Sequence, residues 1–270
     1  MTDRFERQRQ FLGDQGQEKL RETSVGVVGA GGLGAFVVLE LAYLGVGRLV
    51  LVDRDELDIT NRNRLVGAWE SHEDGTPKAD ILAELAHAID SSIKVEMVRE
   101  RFPAEQAREA LDGVDVVMGC VDRDGPRFLL NEFCCERGLP LIDAASDTIP
   151  AEGGIYYGGR VCVSTRQTGC LHCFGVLDQD EMREDLATEA QRQDKEAIYG
   201  VEAGALGGGG PSVVTVNGVV ASLAATEFLV LVTSIGVPSP YIDYVGHDRA
   251  IRKVIDREPG CYYCSLRPAE

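Results

Sequence analysis

Two C-x-x-C pairs, about ninety residues apart, most constrain what this chain can fold into. The pairs are Cys170-x-x-Cys173 and Cys261-x-x-Cys264, on a chain with eight cysteines in total. Four thiolates from two such pairs can close a tetrahedral Zn²⁺ site with no open position. We therefore predict a structural zinc clip that fastens the end of the chain to its body. Redox pairs or free thiols are the alternative, and disulfides are the weaker choice in a chain without secretory features.

Composition narrows the classes of protein. The chain has 270 residues and 44% hydrophobic residues, enough for a substantial core. Its longest apolar candidate, Val213–Ile235, is interrupted by Asn217, Ser222 and Glu227, so we interpret it as a buried helix rather than a membrane span. No apolar run follows Met1. We therefore expect a cytoplasmic protein that does not bind a membrane.

The net charge of −17 argues against nucleic acid as a main partner, because binding phosphates needs clustered Lys and Arg. Solubility, or adaptation to a salt-rich cytoplasm, explains such acidity equally well. A third interpretation is an acidic face that binds a basic partner protein.

Helical and strand patterns alternate through the first half of the chain. Strands are predicted at Ser24–Gly29, Arg48–Val52, Ile93–Val98, Val114–Gly119 and Pro140–Ala144. Helices are predicted at Arg4–Thr23 (an N-terminal helix and arm), Ala35–Leu44, Lys78–Ile89, Ala104–Leu111 and Pro126–Arg137. Such alternation is typical of an α/β, Rossmann-like fold with a doubly wound, largely parallel sheet.

The pattern changes after Pro150 and predicts a late antiparallel extension of that sheet. Gly153–Tyr157 and Gly159–Val163 predict an antiparallel hairpin around Gly158. Phe174–Gly210 predicts a long mobile connection whose last four residues, Gly207–Gly210, form a glycine hinge. A helix at Val213–Ser234 and strands at Tyr241–Val245 and Ile251–Ile255 are predicted to complete the fold.

A nucleotide-binding pattern follows the first predicted strand directly. Gly29, Gly31 and Gly34 match G-x-G-x-x-G at the start of a helix, which is the context that this fingerprint requires. Gly29 permits the tight turn, Gly31 permits a phosphate to approach the backbone, and Gly34 permits close packing of helix and strand. Asp53 ends the second strand, nineteen residues after Gly34, where a carboxylate can accept hydrogen bonds from ribose hydroxyls.

The polar residues that follow favour ATP over NAD. A dehydrogenase accounts for the glycines and Asp53 but not for Arg64, Lys78 or a further aspartate, Asp122. A triphosphate brings negative charge that cations must offset, and Mg²⁺ needs a carboxylate ligand. These residues therefore favour transfer of an adenylate group.

The order of the motifs resembles the ThiF/MoeB/HesA family, the prokaryotic relatives of ubiquitin-activating enzymes. The similar segments are Arg4–Gln8 (the arginine motif), Gly16-Gln17-x-x-Leu20 (G-Q-x-x-L), Gly29–Gly34 (G-A-G-G-L-G), Gly45–Gly47 (A-G-V-G), Asp53-x-Asp55 (D-x-D) and Asn61-x-x-Arg64 (N-x-x-R). Lys78 and Asp122 stand at the family's nucleotide lysine and at the Asp of its Asp-Asn pair, and both C-x-x-C pairs stand where zinc-bearing members have theirs. The resemblance covers nearly the whole chain.

The resemblance implies an enzyme that binds Mg·ATP and the Gly-Gly tail of a small β-grasp protein, a ubiquitin-like or sulfur-carrier protein. The tail carboxylate would attack the α-phosphate to form an acyl-adenylate. By its resemblance to the family, the chain would hold phosphate with Gly32 and the neighbouring amides, and ribose with Asp53. Arg64 and Lys78 stabilise charge on the phosphates, and Asp122 binds Mg²⁺. The matched Asp55 and Asn61 complete the nucleotide-binding set.

Arg7 would reach into a partner subunit, which implies a homodimer; a surface arginine is the alternative for Arg7.

We expect one adenylation domain over residues 1–270, with a helical arm (1–23), a nucleotide-binding half (24–150) and a substrate-side half that holds the crossover connection and the zinc clip (151–270).

Two departures from the family pattern limit the prediction. No cysteine lies between Phe174 and Gly260, where several relatives carry a reactive one. The remaining cysteines, Cys120, Cys134, Cys135 and Cys162, are expected to be buried or structural, so the reaction is predicted to stop at the adenylate. Arg123 replaces the Asn of the Asp-Asn pair, and we expect it to contact a phosphate or to pair with Asp124.

Three alternatives stay open. The acceptor can be a peptide carboxylate or a tRNA base instead of a carrier protein, although the charge speaks against tRNA. An NAD-dependent oxidoreductase is a weaker choice. A non-catalytic scaffold is also weaker, because Asp53, Arg64, Lys78 and Asp122 form a complete set.

Overall fold

The computed structural model describes residues 3–151, 154–187, 211–254, 257 and 259–268. Its strands are β1 (Ser24–Val28), β2 (Arg48–Val52), β3 (Lys94–Val98), β4 (Val116–Gly119), β5 (Leu141–Ala151), β6 (Gly154–Ser164), β7 (Tyr241–Val245) and β8 (Ala250–Val254). They form one sheet in the order β3-β2-β1-β4-β5-β6-β7-β8. Neighbours from β3 to β5 pair in parallel, and β5 to β8 pair antiparallel. The predicted Rossmann-like sheet with an antiparallel extension is confirmed.

Helices cover both faces of the parallel part. They are α1 (Glu6–Glu22), α2 (Gly32–Leu44), α3 (Lys78–Ile89), α4 (Glu105–Leu111), α5 (Asp124–Arg137), α6 (Gln179–Leu186), α7 (Val214–Thr233) and α8 (Tyr262–Ser265), with a short 3₁₀ helix at Ile59–Asn61. The apolar run of strand β2 is continuous because both of its faces are buried. Leu49 and Leu51 pack into the core under α2, α3 and α7, whereas Val50 and Val52 pack into the core under α4 and α5.

Helix α7 is the one helix of the described part that is long and apolar enough to cross a membrane, judged by length and composition alone. It packs against α1, α2, β5 and β6. Val220, Ala224 and Phe228 are buried in the same core as β1 and β2. The prediction of a buried helix in this segment is confirmed.

The predicted hairpin around Gly158 is wrong. Gly158 and Gly159 lie inside the continuous strand β6, which pairs with β5 along its whole length. A Cβ on Gly158 would lie 2.2 Å from the carbonyl oxygen of Tyr244, and one on Gly159 would lie 2.5 Å from that of Ala145. These glycines therefore permit neighbouring strands to approach closely, and they do not form a turn.

The segment predicted as a long connection contains a regular helix in its first part. Phe174–Ala187 lies among the described residues, and it contains α6, which packs against α5. The Asp178 carboxylate begins this helix by accepting the backbone N–H groups of Asp180 and Glu181, both at 2.9 Å. Residues 188–210, with the predicted hinge Gly207–Gly210, lie outside the described residues.

Candidate active site

A cleft of about 960 Å³ opens at the carboxyl ends of the parallel strands. This edge of an open α/β sheet is where ligands bind, beside the point at which the strand order reverses, here between β1 and β4. The cleft is lined by nine of the predicted nucleotide-site residues: Gly29, Gly31, Gly32, Asp53, Asp55, Asn61, Arg64, Lys78 and Asp122. Gly34 and Arg7 are not among its described lining residues.

The glycine turn is built by close backbone contacts. Gly29 has φ +99°, and a Cβ there would lie 2.5 Å from the carbonyl oxygen of Cys120. A Cβ on Gly34 would lie 1.9 Å from the carbonyl oxygen of Gly29, so Gly34 serves helix packing and not the cleft. Gly31, at the N-cap of α2, has no such neighbour within 4 Å. Its backbone therefore borders open space in the cleft.

Asp53 ties this turn to the loop that follows β2. Its Oδ2 accepts the N–H of Ala30 at 2.5 Å, and its Oδ1 accepts the N–H of Asp55 at 2.7 Å. Burial raises the pKa of Asp53, and the two hydrogen bonds oppose that rise. Each carboxylate oxygen keeps a further lone pair for a ligand hydroxyl.

Two cations, Arg64 and Lys78, also line the cleft. Lys78 is the first residue of α3, and its Nζ lies 3.3 Å from Oδ2 of Asp55. Arg64 donates to the carbonyl oxygen of Thr60 at 2.5 Å. Its stem packs on Gly32, where a Cβ would lie 3.2 Å from Cγ of Arg64. Both cations are therefore held at the rim by the protein before any anion binds.

Asn61 has a structural role that the motif did not show. Its Oδ1 accepts the N–H of Asp58, while Asp58 accepts the N–H of Thr60 at 2.8 Å. This reciprocal cap closes the short 3₁₀ helix that leads into Arg64.

A buried ion cluster beneath the cleft was missed in the sequence. Arg127 donates from Nε to Asp143 at 3.1 Å and from Nη1 to Asp124, and its Nη2 donates to the carbonyl oxygen of Val121 at 2.6 Å. The side chains of Arg127 and Asp143 are 4% and 0% exposed. An aspartate inside the apolar strand β5 was the signal that a buried cation lies nearby.

Asp122 is exposed and lines the cleft at the junction of β4 and α5. Of the two contacts expected for the neighbouring Arg123, the pairing with Asp124 is not formed, and the contact with a phosphate stays a prediction. Nη2 of Arg123 lies 2.6 Å from Oδ1 of Asp185 in α6. Asp124 is not the partner of Arg123, because it is buried and paired with Arg127.

The four predicted metal ligands converge. The Sγ atoms of Cys170, Cys173, Cys261 and Cys264 all lie within 4.8 Å of one another. Cys170 is 3.7 Å from both Cys173 and Cys261, and Cys173 is 3.3 Å from Cys264. Thiolates about 2.3 Å from a tetrahedral Zn²⁺ would lie about 3.8 Å apart, so this donor set fits zinc. The amide oxygen of Asn131 in α5 accepts the N–H of Leu171 and orients the first pair.

The remaining cysteines are buried, as expected. Cys135 packs beside Cys170, and the hydrogen bond between them is the main cause that lowers the pKa of Cys170. Burial raises the pKa of Cys120 and Cys162, and it raises that of Cys134 to about 12. These last three thiols are therefore protonated and poor nucleophiles at neutral pH.

Arg7 is exposed on α1. The surrounding arm is anchored to the end of α2, where Gln8 and Gln17 both donate to the carbonyl oxygen of Leu44, at 2.9 and 3.0 Å. These two hydrogen bonds therefore fix the arm against α2.

Comparison with known proteins decides the family. The ThiF family model matches residues 5–261. The chain belongs to the ThiF family. The sulfur carrier protein adenylyltransferase of Thermus thermophilus is 30% identical over 280 aligned positions, which cover 99% of this chain and 92% of that enzyme. The SAMP-activating enzyme E1 of Haloferax volcanii is 38% identical over 164 residues, which cover 60% of this chain and 57% of that protein.

Solved structures show the same fold. Escherichia coli MccB with MccA-N7isoASN has a TM-score of 0.75 and 21% identity, and it covers 98% of this chain and 75% of MccB. A structure of MccB with ATP has a TM-score of 0.73 at the same identity and coverage.

Proposed function

We propose that this ThiF-family chain is an ATP-dependent adenylyltransferase that activates the C-terminal glycine carboxylate of a small β-grasp carrier protein. One observation carries the proposal: the glycine turn, Asp53, two cations and Asp122 face one cleft at the switch point of the sheet. A relative that matches almost the whole chain acts, by its name, on a sulfur carrier protein. ATP in the MccB structure agrees with a nucleotide in this fold.

In this proposal the open backbone at Gly31 and the amides that begin α2 hold phosphate, and Asp53 holds the ribose. The acceptor carboxylate attacks the α-phosphorus, and the bond from that phosphorus to the bridging oxygen breaks. Pyrophosphate leaves with the electron pair, and no proton transfer is required because the acceptor is already a carboxylate. Arg64 and Lys78 offset the charge that develops on the phosphate oxygens.

Two metals belong to the proposal. Asp122, an exposed carboxylate that lines the same cleft as the glycine turn, would hold Mg²⁺, which neutralises phosphate charge. The closed set Cys170, Cys173, Cys261 and Cys264 would hold Zn²⁺ as a structural ion. We further propose a homodimer, in which the exposed Arg7 reaches the partner's cleft, and a cytoplasmic location.

ATP–pyrophosphate exchange with Mg²⁺ tests the function. It is measured with and without β-grasp proteins that end in Gly-Gly, using the wild type, Asp122→Ala and a control, Asp112→Ala. Asp112 is half-exposed, pairs with Arg137 and precedes the amino end of β4, so it lies at the opposite edge of the sheet. Exchange that depends on the carrier, is lost in Asp122→Ala and survives in Asp112→Ala is expected.

Other outcomes select other functions. ATP binding without exchange for any carrier, but with exchange for a peptide carboxylate or a tRNA, would replace the acceptor. ATP binding without exchange for any acceptor would indicate a scaffold, and binding of NAD in place of ATP would indicate an oxidoreductase.

A further inference from the structure

Helix α6, at the start of the crossover connection, packs on the amino end of α5. The Gly125 N–H donates to Oδ2 of Asp185 at 3.0 Å, and the Glu181 carboxylate accepts the N–H of Asp124. Both N–H groups are at the first turn of α5, where intrahelical acceptors are absent. Two carboxylates one turn apart on α6 therefore cap two consecutive amides of α5.

Arg123 adds a third contact to the same junction. Its guanidinium lies 2.6 Å from Oδ1 of Asp185, whose side chain is 3% exposed. A backbone contact continues the junction upstream, where Asp178 donates its N–H to Oδ2 of Asp124 at 2.6 Å. Arg160 donates to the carbonyl oxygen of Val176 at 2.9 Å, so the segment before α6 is also fixed.

Shape complementarity supports a docked helix. A Cβ on Gly125 would lie 2.3 Å from the Cβ of Asp185, which leaves no space for any other residue type. Glu181, from the docked helix, lines the cleft together with Asp122. The position of α6 therefore sets one wall of the cleft next to the proposed Mg²⁺ ligand.

We propose that Arg123 and Asp185 are positioning residues that hold α6 on the amino end of α5, so that this wall of the cleft is formed before the acceptor arrives. A wall that is already ordered lowers the entropic cost of binding the acceptor tail. The catalytic part of this inference rests on the proposed adenylation, whereas the docking of α6 does not.

The contacts predict how strongly each substitution weakens the docking of α6. Gly125→Ala adds a methyl group where α6 sits, in a helical position that alanine favours, so it displaces α6 without weakening α5. Asp185→Asn weakens the buried acceptor of the Gly125 N–H. Arg123→Gln acts on a half-exposed pair, 53% exposed on the arginine side, and has the smallest effect. Arg123→Lys keeps the charge and restores the wild-type behaviour.

The same helix offers matched controls. Asp180 and Arg183 form an exposed pair at 3.2 Å, with side chains 91% and 71% exposed. Asp180→Asn and Arg183→Gln are therefore expected to change neither the docking of α6 nor activity.

Hydrogen–deuterium exchange of Gln179–Leu186 is the first test. Exchange is expected to be roughly tenfold faster in Gly125→Ala and Asp185→Asn than in the wild type, because charge-assisted hydrogen bonds are lost. Thermal melting checks that the fold is kept. Equal exchange in all the variants would overturn the proposal, whether or not the enzyme adenylates anything.

The second test is a comparison of KM values. Several-fold higher KM for the acceptor, with KM for ATP unchanged, is expected for Gly125→Ala and Asp185→Asn. A lower KM for the acceptor would overturn the proposal, because it would make docked α6 an obstruction. Absence of ATP–pyrophosphate exchange in the wild type would instead count against the proposed function. The hydrogen–deuterium exchange result on the docking of α6 would still stand.

Discussion

Asp53 serves the fold and the proposed ligand with one carboxylate. Its two oxygens fix the glycine turn through Ala30 and the following loop through Asp55. Burial makes its ionised form costlier than in water, and the amides offset part of that cost. The proposed ribose contact therefore uses a group whose position is already set by the backbone.

This arrangement gives nucleotide binding a pH dependence. Because the pKa of Asp53 is raised, chiefly by burial, its ionised form is lost at a higher pH than for an aspartate in water. An affinity that needs the carboxylate is present above that raised pKa and falls as the pH drops through it. Fluorescent-nucleotide titrations across acid pH are expected to show this decline in the wild type.

Asp53→Asn provides the comparison. Its amide group replaces one acceptor with a donor that faces either Ala30 or Asp55, so binding should be weaker and should lack the acid decline. A wild-type affinity that stays constant until the protein unfolds would contradict the role of Asp53.

At the scale of elements, Arg127 joins α5 to the sheet. It bonds Asp143 in β5, Asp124 in its own helix and the carbonyl oxygen of Val121 after β4. Buried charges of this kind depend on complete pairing, since removal of one partner leaves the others desolvated. The floor of the cleft is therefore fixed where β4, β5 and α5 meet.

Arg127→Ala is expected to destabilise the fold by about 3–5 kcal/mol, because two buried carboxylates lose their cation. Urea unfolding measures the change. Arg99→Ala is the control, since Arg99 is 58% exposed and its pair with Asp80 should contribute less than about 1 kcal/mol. Equal losses in the two variants would show that the cluster does not require its arginine.

For the whole molecule, the cysteine cluster joins two distant segments. It links the turn after β6 with the short helix α8 near the end of the described chain. Cys173 lies directly before the segment that leads to α6, so the clip also fixes where the crossover begins. We expect about one zinc per chain by elemental analysis, as a closed Cys₄ site requires.

Cys264→Ala is expected to lose the metal and to make the residues around α8 sensitive to protease. Cys135→Ala is the control, because Cys135 packs beside Cys170 but is not among the four converging ligands. Loss of zinc from Cys135→Ala, or its retention in Cys264→Ala, would show that the ligand set is different.

Local patterns explain which features could be predicted. The continuous apolar run Arg48–Val52 gave the bounds of β2, and the four cysteines gave the cluster. The hairpin predicted around Gly158 was wrong because a glycine that permits close approach of two strands has the same sequence signal as a glycine in a turn. The pairing of Arg123 with Asp185 depends on how α6 docks, and no local pattern records that contact.

In polymer terms, the zinc clip would close a loop in the chain between its first and its second cysteine pair. The joined cysteines are 91 positions apart, and the cost of closing a loop grows only with the logarithm of its length. Doubling the loop would cost only about 0.6 kcal/mol more. A longer sequence between the two cysteine pairs would therefore cost little stability through loop closure.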